Sequence, residues 1–171
     1  PTSDNLTNCL KILNNKLQKV YNPLDCVHGY IKGKGIKTNA VQHLGKRYIL
    51  KIDIENYFEK ITKNMITVAL KELGFHDNIS SLIAKLTTHN DILVQGFHTS
   101  PTIANIIFHE LDLIFSKFKR CTYTRYADDL YFSSEEKIDI EPVIEQKLLE
   151  YGFTINHKKT KLIKRGQQQY A

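Results

Sequence analysis

The chain has 171 residues, 42% of them hydrophobic and 25% charged, a balance that excludes a disordered tail or a collagen-like repeat. This length fits one domain, and 24 basic against 18 acidic residues leave a net charge of +6, which suits a polyanionic partner. Cys9, Cys26 and Cys121 are widely spaced and form no CxxC pair, so we expect a reducing compartment, the cytoplasm. The apolar runs are too short to span a bilayer, so we expect no membrane partner.

The first half of the chain predicts helices around one strand. Apolar residues recur every three or four positions near the start, and Pro23 ends that helix. Alternation from Tyr48 to Ile54 is typical of a strand, with Asp53 at its carboxyl end. The predicted elements are a helix from Ser3 or Asp4, a Gly- and Lys-rich loop over 29–45, a strand over 48–54, and helices over 62–73 and 77–86.

The second half predicts two strands about a tight turn, flanked by helices. Pro101 at the first position of a helix and Gly152 at the end of another mark their bounds. The predicted elements are a short strand over 92–94, one long helix capped by Ser100 and reaching Phe118, strands over 122–126 and 130–133, a helix over 138–150, and extended pieces over 153–156 and 160–163.

Without the inserted helices, the order is strand, helix, strand, strand, helix, strand. This order predicts an α+β chain of the ferredoxin-like, or split βαβ, arrangement. In that topology the first and second strands are parallel, and the third runs antiparallel between them. The end of the first strand and the turn between the next two therefore share one edge, which brings Asp53 together with Asp128 and Asp129.

Three carboxylates at one edge repel each other, and divalent cations would compensate that repulsion. Mg²⁺ takes oxygen ligands and is usually held by one or two carboxylates together with substrate phosphates. Two such ions clamp the attacking and leaving oxygens of an in-line phosphoryl transfer. Adjacent aspartates are also typical of a polar turn. The placement of Asp128 and Asp129 between two apolar strands, with Asp53 ending another, favours the catalytic interpretation.

Several motifs in a fixed order resemble the reverse transcriptase family. Tyr126-Ala127-Asp128-Asp129 looks like its YxDD box, and the segment around Asp53 is similar to its first aspartate motif. The other matching segments are the QGxxTSPxIAN-like 95–105, the GFxIN..KT-like 152–160, and His28-Gly29-Tyr30 with Thr38-Asn39-Ala40 and His43, which resemble the bacterial retron-type branch. The resemblance runs from about Val27 to Arg165, and ordered motifs are far more specific than one motif alone.

The resemblance implies RNA-directed DNA synthesis from dNTPs on an RNA template, extending a DNA primer, with two Mg²⁺ ions or Mn²⁺ in their place. Asp53 and Asp128 would bridge the ions, Asp129 would assist, and Ile54 would offer its backbone carbonyl. Lys159 matches the lysine that protonates the leaving pyrophosphate. Tyr126 would touch the primer end.

Other matched residues have a structural alternative. Phe58 resembles the steric gate beneath the sugar, but an aromatic residue after a strand is equally typical of a core. Gln95 and Gly96 would lie beside the nascent base pair. The lysines of the Gly-rich loop would contact phosphates, or form a solvated loop; they are Lys32, Lys34 and Lys37.

We expect a polymerase palm with inserted helices and part of the fingers. The predicted division is partial fingers over 1–47, a catalytic palm over 48–165, and a truncated C-terminal end over 166–171 without a thumb. Retron-type partners would be a structured non-coding RNA and an effector protein. The alternatives are a reverse transcriptase-like nucleic-acid-binding component of a phage-defence complex, inactive as an isolated fragment, and a metal nuclease, which leaves Gln95 and Gly96 unexplained.

Overall fold

A computed structural model describes residues 4–165, which form two compact units. The first unit holds residues 4–23 and 56–109, and the second holds residues 24–55 and 110–165. Helices combine with antiparallel sheet, which confirms the α+β class. Ser3 and the predicted C-terminal end, 166–171, lie outside the described residues. In the part of the chain that is described, no helix is both long and apolar enough to cross a membrane.

The helices and strands follow one another along the described chain in groups of one to three. The helices are α1 (Asp4–Val20), α2 (Ile36–Val41), α3 (Tyr57–Lys60), α4 (Lys63–Glu72), α5 (Asp77–Thr87), α6 (Ser100–Ile107), α7 (His109–Ser116) and α8 (Glu141–Glu150). The strands are β1 (Tyr48–Asp53), β2 (Thr88–His89), β3 (Ile92–Leu93), β4 (Thr122–Tyr126), β5 (Asp129–Ser134) and β6 (Lys161–Lys164).

The first unit is mainly helical. The Thr62 side chain caps α4 by accepting a hydrogen bond from the Met65 amide, and Gly74 follows the helix with φ +90°, a conformation that glycine adopts without strain. Tyr57 Oη donates to the carbonyl of Ala104 at 2.8 Å, which fixes α3 to α6. The buried apolar residues of this unit include Leu10, Leu17, Ile66, Leu70, Ile83, Ile103 and Phe108.

The second unit contains a four-stranded antiparallel sheet of order β4-β5-β1-β6. Strand β5 pairs antiparallel with both β1 and β4, so β1 and β4 run parallel on either side of it. Helix α8 lies in sequence between β5 and β6, and β6 pairs antiparallel with the free side of β1. This is the predicted ferredoxin-like order. It places the end of β1 beside the turn between β4 and β5.

Aromatic packing joins α7 to the sheet within the second unit. The rings of Phe115 and Phe132 meet edge to face at 5.6 Å, and the rings of Tyr123 and Phe132 lie 4.8 Å apart. Phe115, Leu130 and Phe132 are fully buried. Side chains of alternate β4 and β5 positions therefore form a core beneath the strands that carry the turn.

The predicted long helix from Ser100 to Phe118 is wrong, because the chain forms α6 and α7 with a break at Phe108. Apolar residues continue at helical spacing across the break, so the sequence pattern does not reveal it. The Phe108 ring packs edge to face on Tyr57 at 5.9 Å. Ser100 is not the cap either: Thr99 holds that position, and Ser100 Oγ donates to the carbonyl of Val94.

Smaller differences concern short elements. The extended piece predicted over 153–156 contributes a single bridge, between Ile155 and Ile54. Helix α8 begins at Glu141 rather than at 138, with Pro142 in its first turn. The short α2, α3 and β2 were not predicted, since two to six residues carry little periodicity.

Candidate active site

The pairing of β1 with β5 sets Asp53 directly opposite Asp129. Asp128 occupies the turn between β4 and β5, and its carbonyl accepts a hydrogen bond from the Ile54 amide at 3.1 Å. Residues far apart in sequence therefore meet at one edge of the sheet, all within the second unit. This is the convergence that the predicted topology requires.

The site raises the affinity of one carboxylate for its proton. Burial raises the pKa of Asp128 above its usual value, and the negative charges of Asp129 and Asp53 raise it further, against hydrogen bonding to its own backbone and the charge of Lys159. Asp53 is 6% exposed. The three carboxylates are therefore close enough to repel one another in the metal-free protein.

Two lysines compensate part of this negative charge. Lys51 Nζ lies 2.8 Å from Asp129 Oδ2, and Lys159 Nζ lies 3.4 Å from Asp53 Oδ2. Burial alone would lower the pKa of Lys51, but the hydrogen bond and charge of Asp129 outweigh it and raise that pKa. Sequence reasoning assigned Lys159 to the site and left Lys51 without a role. Residues two apart in a strand share a face, so the alternation of β1 puts Lys51 on the same face as Asp53.

The donor atoms fit a hard divalent cation. Asp129 Oδ1 is buried without a hydrogen-bond partner, which leaves a carboxylate oxygen free to bind an ion. Within residues 4–165, no three His, Cys, Asp or Glu side chains are arranged closely enough to hold a metal on their own. Mg²⁺ normally takes one or two carboxylates and completes its shell with water and substrate phosphates. The residues present fit that pattern.

The other predicted residues of the second unit are Tyr126 and the three lysines of the Gly-rich loop. Tyr126 ends β4 and pairs in register with Asp129. Lys32 and Lys37 are exposed, whereas Lys34 is half-buried and its Nζ donates to the Asp25 carbonyl at 2.8 Å. The basic loop is thus partly tied down at Lys34, and its two other lysines are free to meet solvent or a ligand.

Phe58, Gln95 and Gly96 belong to the first unit. Phe58 lies in α3, is half-buried, and stacks edge to face on Tyr57 at 5.5 Å. Gln95 and Gly96 form an exposed turn, in which Gly96 has φ +94°. Their predicted roles beside the nucleotide stay predictions.

Sequence reasoning missed two features around the turn. Burial raises the pKa of Tyr30, and the nearby Asp128 and Tyr126 raise it further. Tyr30 therefore lies near the site. Arg125 and Asp112 form a fully buried ion pair at 2.7 Å. An arginine inside a strand whose other residues are all threonine or tyrosine was the available signal for this pair.

Comparison with known proteins identifies the family. The sequence model described as "Reverse transcriptase (RNA-dependent DNA polymerase)" matches residues 4–170. The chain belongs to the reverse transcriptase family.

Curated relatives place it near the retron-type members. The retron Mx65 reverse transcriptase of Myxococcus xanthus is 32% identical over 166 residues, which cover 83% of this chain and 39% of that protein. The retron Ec86 reverse transcriptase of Escherichia coli is 33% identical over 138 residues, 77% of this chain and 43% of that protein. The chain thus spans about two fifths of the length of these relatives.

Solved structures support the fold. A telomerase from Candida albicans, in complex with a fragment of telomeric RNA, superposes with a TM-score of 0.61 at 14% identity, over 96% of this chain and 34% of that chain. Apo telomerase from Candida tropicalis, truncated of its C-terminal domain, gives 0.61 at 15% identity, over 96% of this chain and 41% of that one. At this identity the likeness shows the polymerase palm fold alone.

Proposed function

We propose that this chain is the catalytic core of an RNA-directed DNA polymerase, which extends a DNA primer on an RNA template with dNTPs. The observation that carries the proposal is the convergence of Asp53, Asp128 and Asp129 at one edge of the sheet. Three mutually repelling carboxylates weaken a metal-free protein, and a binding module gains nothing from them. Family membership and the retron-type relatives support the same reaction.

Asp53, Asp128 and Asp129 would hold two Mg²⁺ ions, or Mn²⁺, with the carbonyl of Ile54 as a further ligand. Such ions supply charge neutralisation at the triphosphate and activation of the primer 3′-hydroxyl when they are bound. The partnerless Asp129 Oδ1 is available for this role, while Lys51 holds the other oxygen in place.

Lys159 is the proposed proton donor to the leaving pyrophosphate. Its side chain is 66% exposed, and its one described ionic contact is the 3.4 Å approach to Asp53 Oδ2. A long, exposed ammonium group of this kind is free to turn from a carboxylate to an incoming phosphate. Its positive charge also favours the developing negative charge on the leaving group.

The remaining roles follow the matched motifs. Tyr126 would contact the primer end, Phe58 would exclude the 2′-hydroxyl, and Gln95 with Gly96 would flank the nascent base pair. The exposed lysines of the 32–37 loop would bind the nucleic-acid backbone. The proposed setting is the cytoplasm, and the proposed organisation is partial fingers over 1–47 and a palm over 48–165.

A second candidate is a nucleic-acid-binding component of a phage-defence complex, with a structured RNA and an effector protein as partners. The retron-type relatives favour this setting. The carboxylate cluster favours catalysis over binding alone. Primer extension by the full-length protein separates the two candidates, because a component of the second kind would bind RNA without extending a primer.

The decisive experiment replaces Asp128 by Asn in the full-length protein and measures primer extension on RNA and DNA templates with Mg²⁺. We expect a loss of at least about a thousandfold, equivalent to about 4 kcal/mol of transition-state stabilisation. Asp139→Asn removes an exposed carboxylate before α8 and serves as the matched control. Activity of Asp128→Asn within a few-fold of the parent would refute the metal-binding role.

A further inference from the structure

The turn that carries Asp128 has an unfavourable backbone conformation. Ala127 adopts φ +57°, a left-handed conformation in which an alanine side chain crowds its own backbone. Ala127 is buried, at 7% exposure. Glycine or asparagine would adopt this conformation more readily than alanine does. Contacts with neighbouring residues must therefore hold Ala127 in it.

Arg125 holds that turn through a side-chain hydrogen bond. Its side chain is fully buried, and its Nη1 donates a hydrogen bond to the Ala127 carbonyl at 3.1 Å. The guanidinium is itself fixed by Asp112, with Nε to Oδ1 at 2.9 Å and Nη2 to Oδ2 at 2.7 Å. Tyr123 Oη also donates to Asp112 Oδ1 at 2.7 Å. This fork geometry leaves the arginine little freedom.

Gly29 also confines the same turn. A Cβ at this position would lie 2.3 Å from the Ala127 amide nitrogen, so only glycine fits. The segment that carries Gly29 is bonded along the edge of β4: Arg125 N donates to the Cys26 carbonyl, and His28 N donates to the Arg125 carbonyl, both at 2.8 Å. The turn therefore has little room to move.

We propose that Arg125 is a positioning residue, which fixes the Ala127 carbonyl and so sets the Asp128 carboxylate for metal binding. The inference rests on the proposed polymerase function. Asp128 follows the held carbonyl directly, and its own carbonyl is bonded to Ile54 beyond the end of β1. Hydrogen bonds to the carbonyls of Ala127 and Asp128 thus fix the backbone on both sides of the Asp128 Cα, and with it the position from which the carboxylate extends.

Stability alone does not explain a fully buried ion pair here. Apolar residues of similar volume often replace such a pair with no loss of stability, because burying charges is costly. An apolar side chain at position 125 could not donate to the Ala127 carbonyl. This bond to the catalytic turn is what the arginine supplies beyond packing.

The test replaces the buried network by apolar residues in the full-length protein. The triple variant Asp112→Val, Tyr123→Phe, Arg125→Met keeps the volume and leaves no charge within this buried network. We expect a melting temperature close to that of the parent, a kcat for primer extension lowered about tenfold, and a Mg²⁺ concentration for half-maximal activity raised several-fold, with a smaller change in the dNTP KM. A folded triple variant with parental kcat and Mg²⁺ requirement would overturn the proposal.

If the triple variant does not fold, Arg125→Lys decides the question. It keeps the charge beside Asp112 but cannot bond both carboxylate oxygens and the Ala127 carbonyl, so the Mg²⁺ requirement should still rise. An unchanged requirement in Arg125→Lys would then overturn the proposal.

Two glycine variants test whether displacing the turn changes the Mg²⁺ requirement. Gly29→Ala should raise the requirement, because its Cβ would displace Ala127. Gly35→Ala is the matched control, since nothing lies within 4 Å of its Cβ and its backbone is extended. Asp128→Asn in the same assay separates the two hypotheses: if that variant stays active, the proposed function fails whatever Arg125 does.

Discussion

The ionised Asp128 lowers the free energy of unfolding of the metal-free protein, and a single substitution can measure this effect. Its pKa in the folded state lies above the ordinary 3.8, so the folded protein holds this proton more tightly than the unfolded chain does. The stabilisation is present at low pH and is lost as the pH rises from 3.8 through the raised value. Around neutral pH the ionised side chain therefore destabilises the fold.

Asp128→Asn should accordingly raise the melting temperature of the metal-free protein by a few degrees near neutral pH. Below the ordinary carboxyl pKa of 3.8 the difference should vanish, because Asp128 is then neutral in both states. Thermal unfolding in EDTA at the two pH values measures this. Added Mg²⁺ should stabilise the parent more than the variant, by preferential binding to the folded state. A lower melting temperature for the variant at both pH values would instead assign Asp128 a structural role.

Phe58 offers a second test at the residue scale. Its half-buried ring stacks on Tyr57 at 5.5 Å, so truncation should cost about 2 kcal/mol, less than for a fully buried phenylalanine. Phe58→Ala should raise the ratio of ribonucleotide to deoxynucleotide efficiency at least about tenfold, which is 1.4 kcal/mol of discrimination. Phe75→Ala, another half-buried phenylalanine of the first unit, controls for destabilisation. An unchanged ratio in a destabilised Phe58→Ala protein would assign Phe58 to the core.

At the scale of elements, local patterns predicted the strands better than the helix ends. Alternation and the flanking turn residues identified β1, β4 and β5, and their order implied that Asp53 meets Asp128 and Asp129. The break at Phe108 coincides with the packing of that ring against Tyr57, a contact that helical periodicity does not encode. Lys51 and Arg125 likewise acquire partners only through pairing across the sheet or with α7, so their roles required the structure.

His43 links the segment after α2 to the sheet. Its titration makes the stability of the protein depend on pH. The ring nitrogens lie 2.7 Å from Ser133 Oγ and 2.6 Å from Thr124 Oγ1, and burial lowers the pKa to about 4, with smaller contributions from His28 and Lys46. The neutral ring is favoured in the fold, so its stabilisation is complete above 6.5 and is lost as the pH falls towards about 4.

We expect His43 to contribute up to about 3 kcal/mol to the acid-induced loss of unfolding free energy over this range. Urea unfolding at the two ends of the range measures the loss. His43→Gln should be less stable near neutral pH and should show a shallower dependence on pH. An equal dependence in parent and variant would show that His43 does not titrate in this window.

At the scale of the whole molecule, sequence motifs identified the family more firmly than they defined its organisation. The ordered motifs predicted a reverse transcriptase, and the family match over 4–170 confirms this. The described chain divides into units of 4–23 with 56–109 and 24–55 with 110–165, so each unit is built from separate stretches of sequence. The predicted boundary between residues 47 and 48 divides the chain once along the sequence, whereas each compact unit combines two separate stretches. The division into fingers and palm stays a prediction.

The 171-residue chain alone should bind nucleic acid weakly and polymerise poorly, because its net charge is only +6 and it spans about two fifths of its relatives. Binding should weaken steeply with salt, as phosphate neutralisation releases counterions. Robust processive synthesis by this chain would contradict the expectation.

Within that weak binding, the exposed Lys32 and Lys37 should matter more than Lys34, whose ammonium is already bonded to Asp25. Binding weakens with salt, and each phosphate contact makes the slope of log K against log salt steeper by about 0.7 to 0.9. Lys32→Gln and Lys37→Gln should therefore each make the slope shallower by about that amount. Lys34→Gln should change it less. Fluorescence anisotropy with labelled RNA across a salt series measures all three, and Lys147→Gln, which removes an equal charge paired with Glu150 in α8, is the control. Equal slopes for the parent and both exposed-lysine variants would show that this loop is merely solvated.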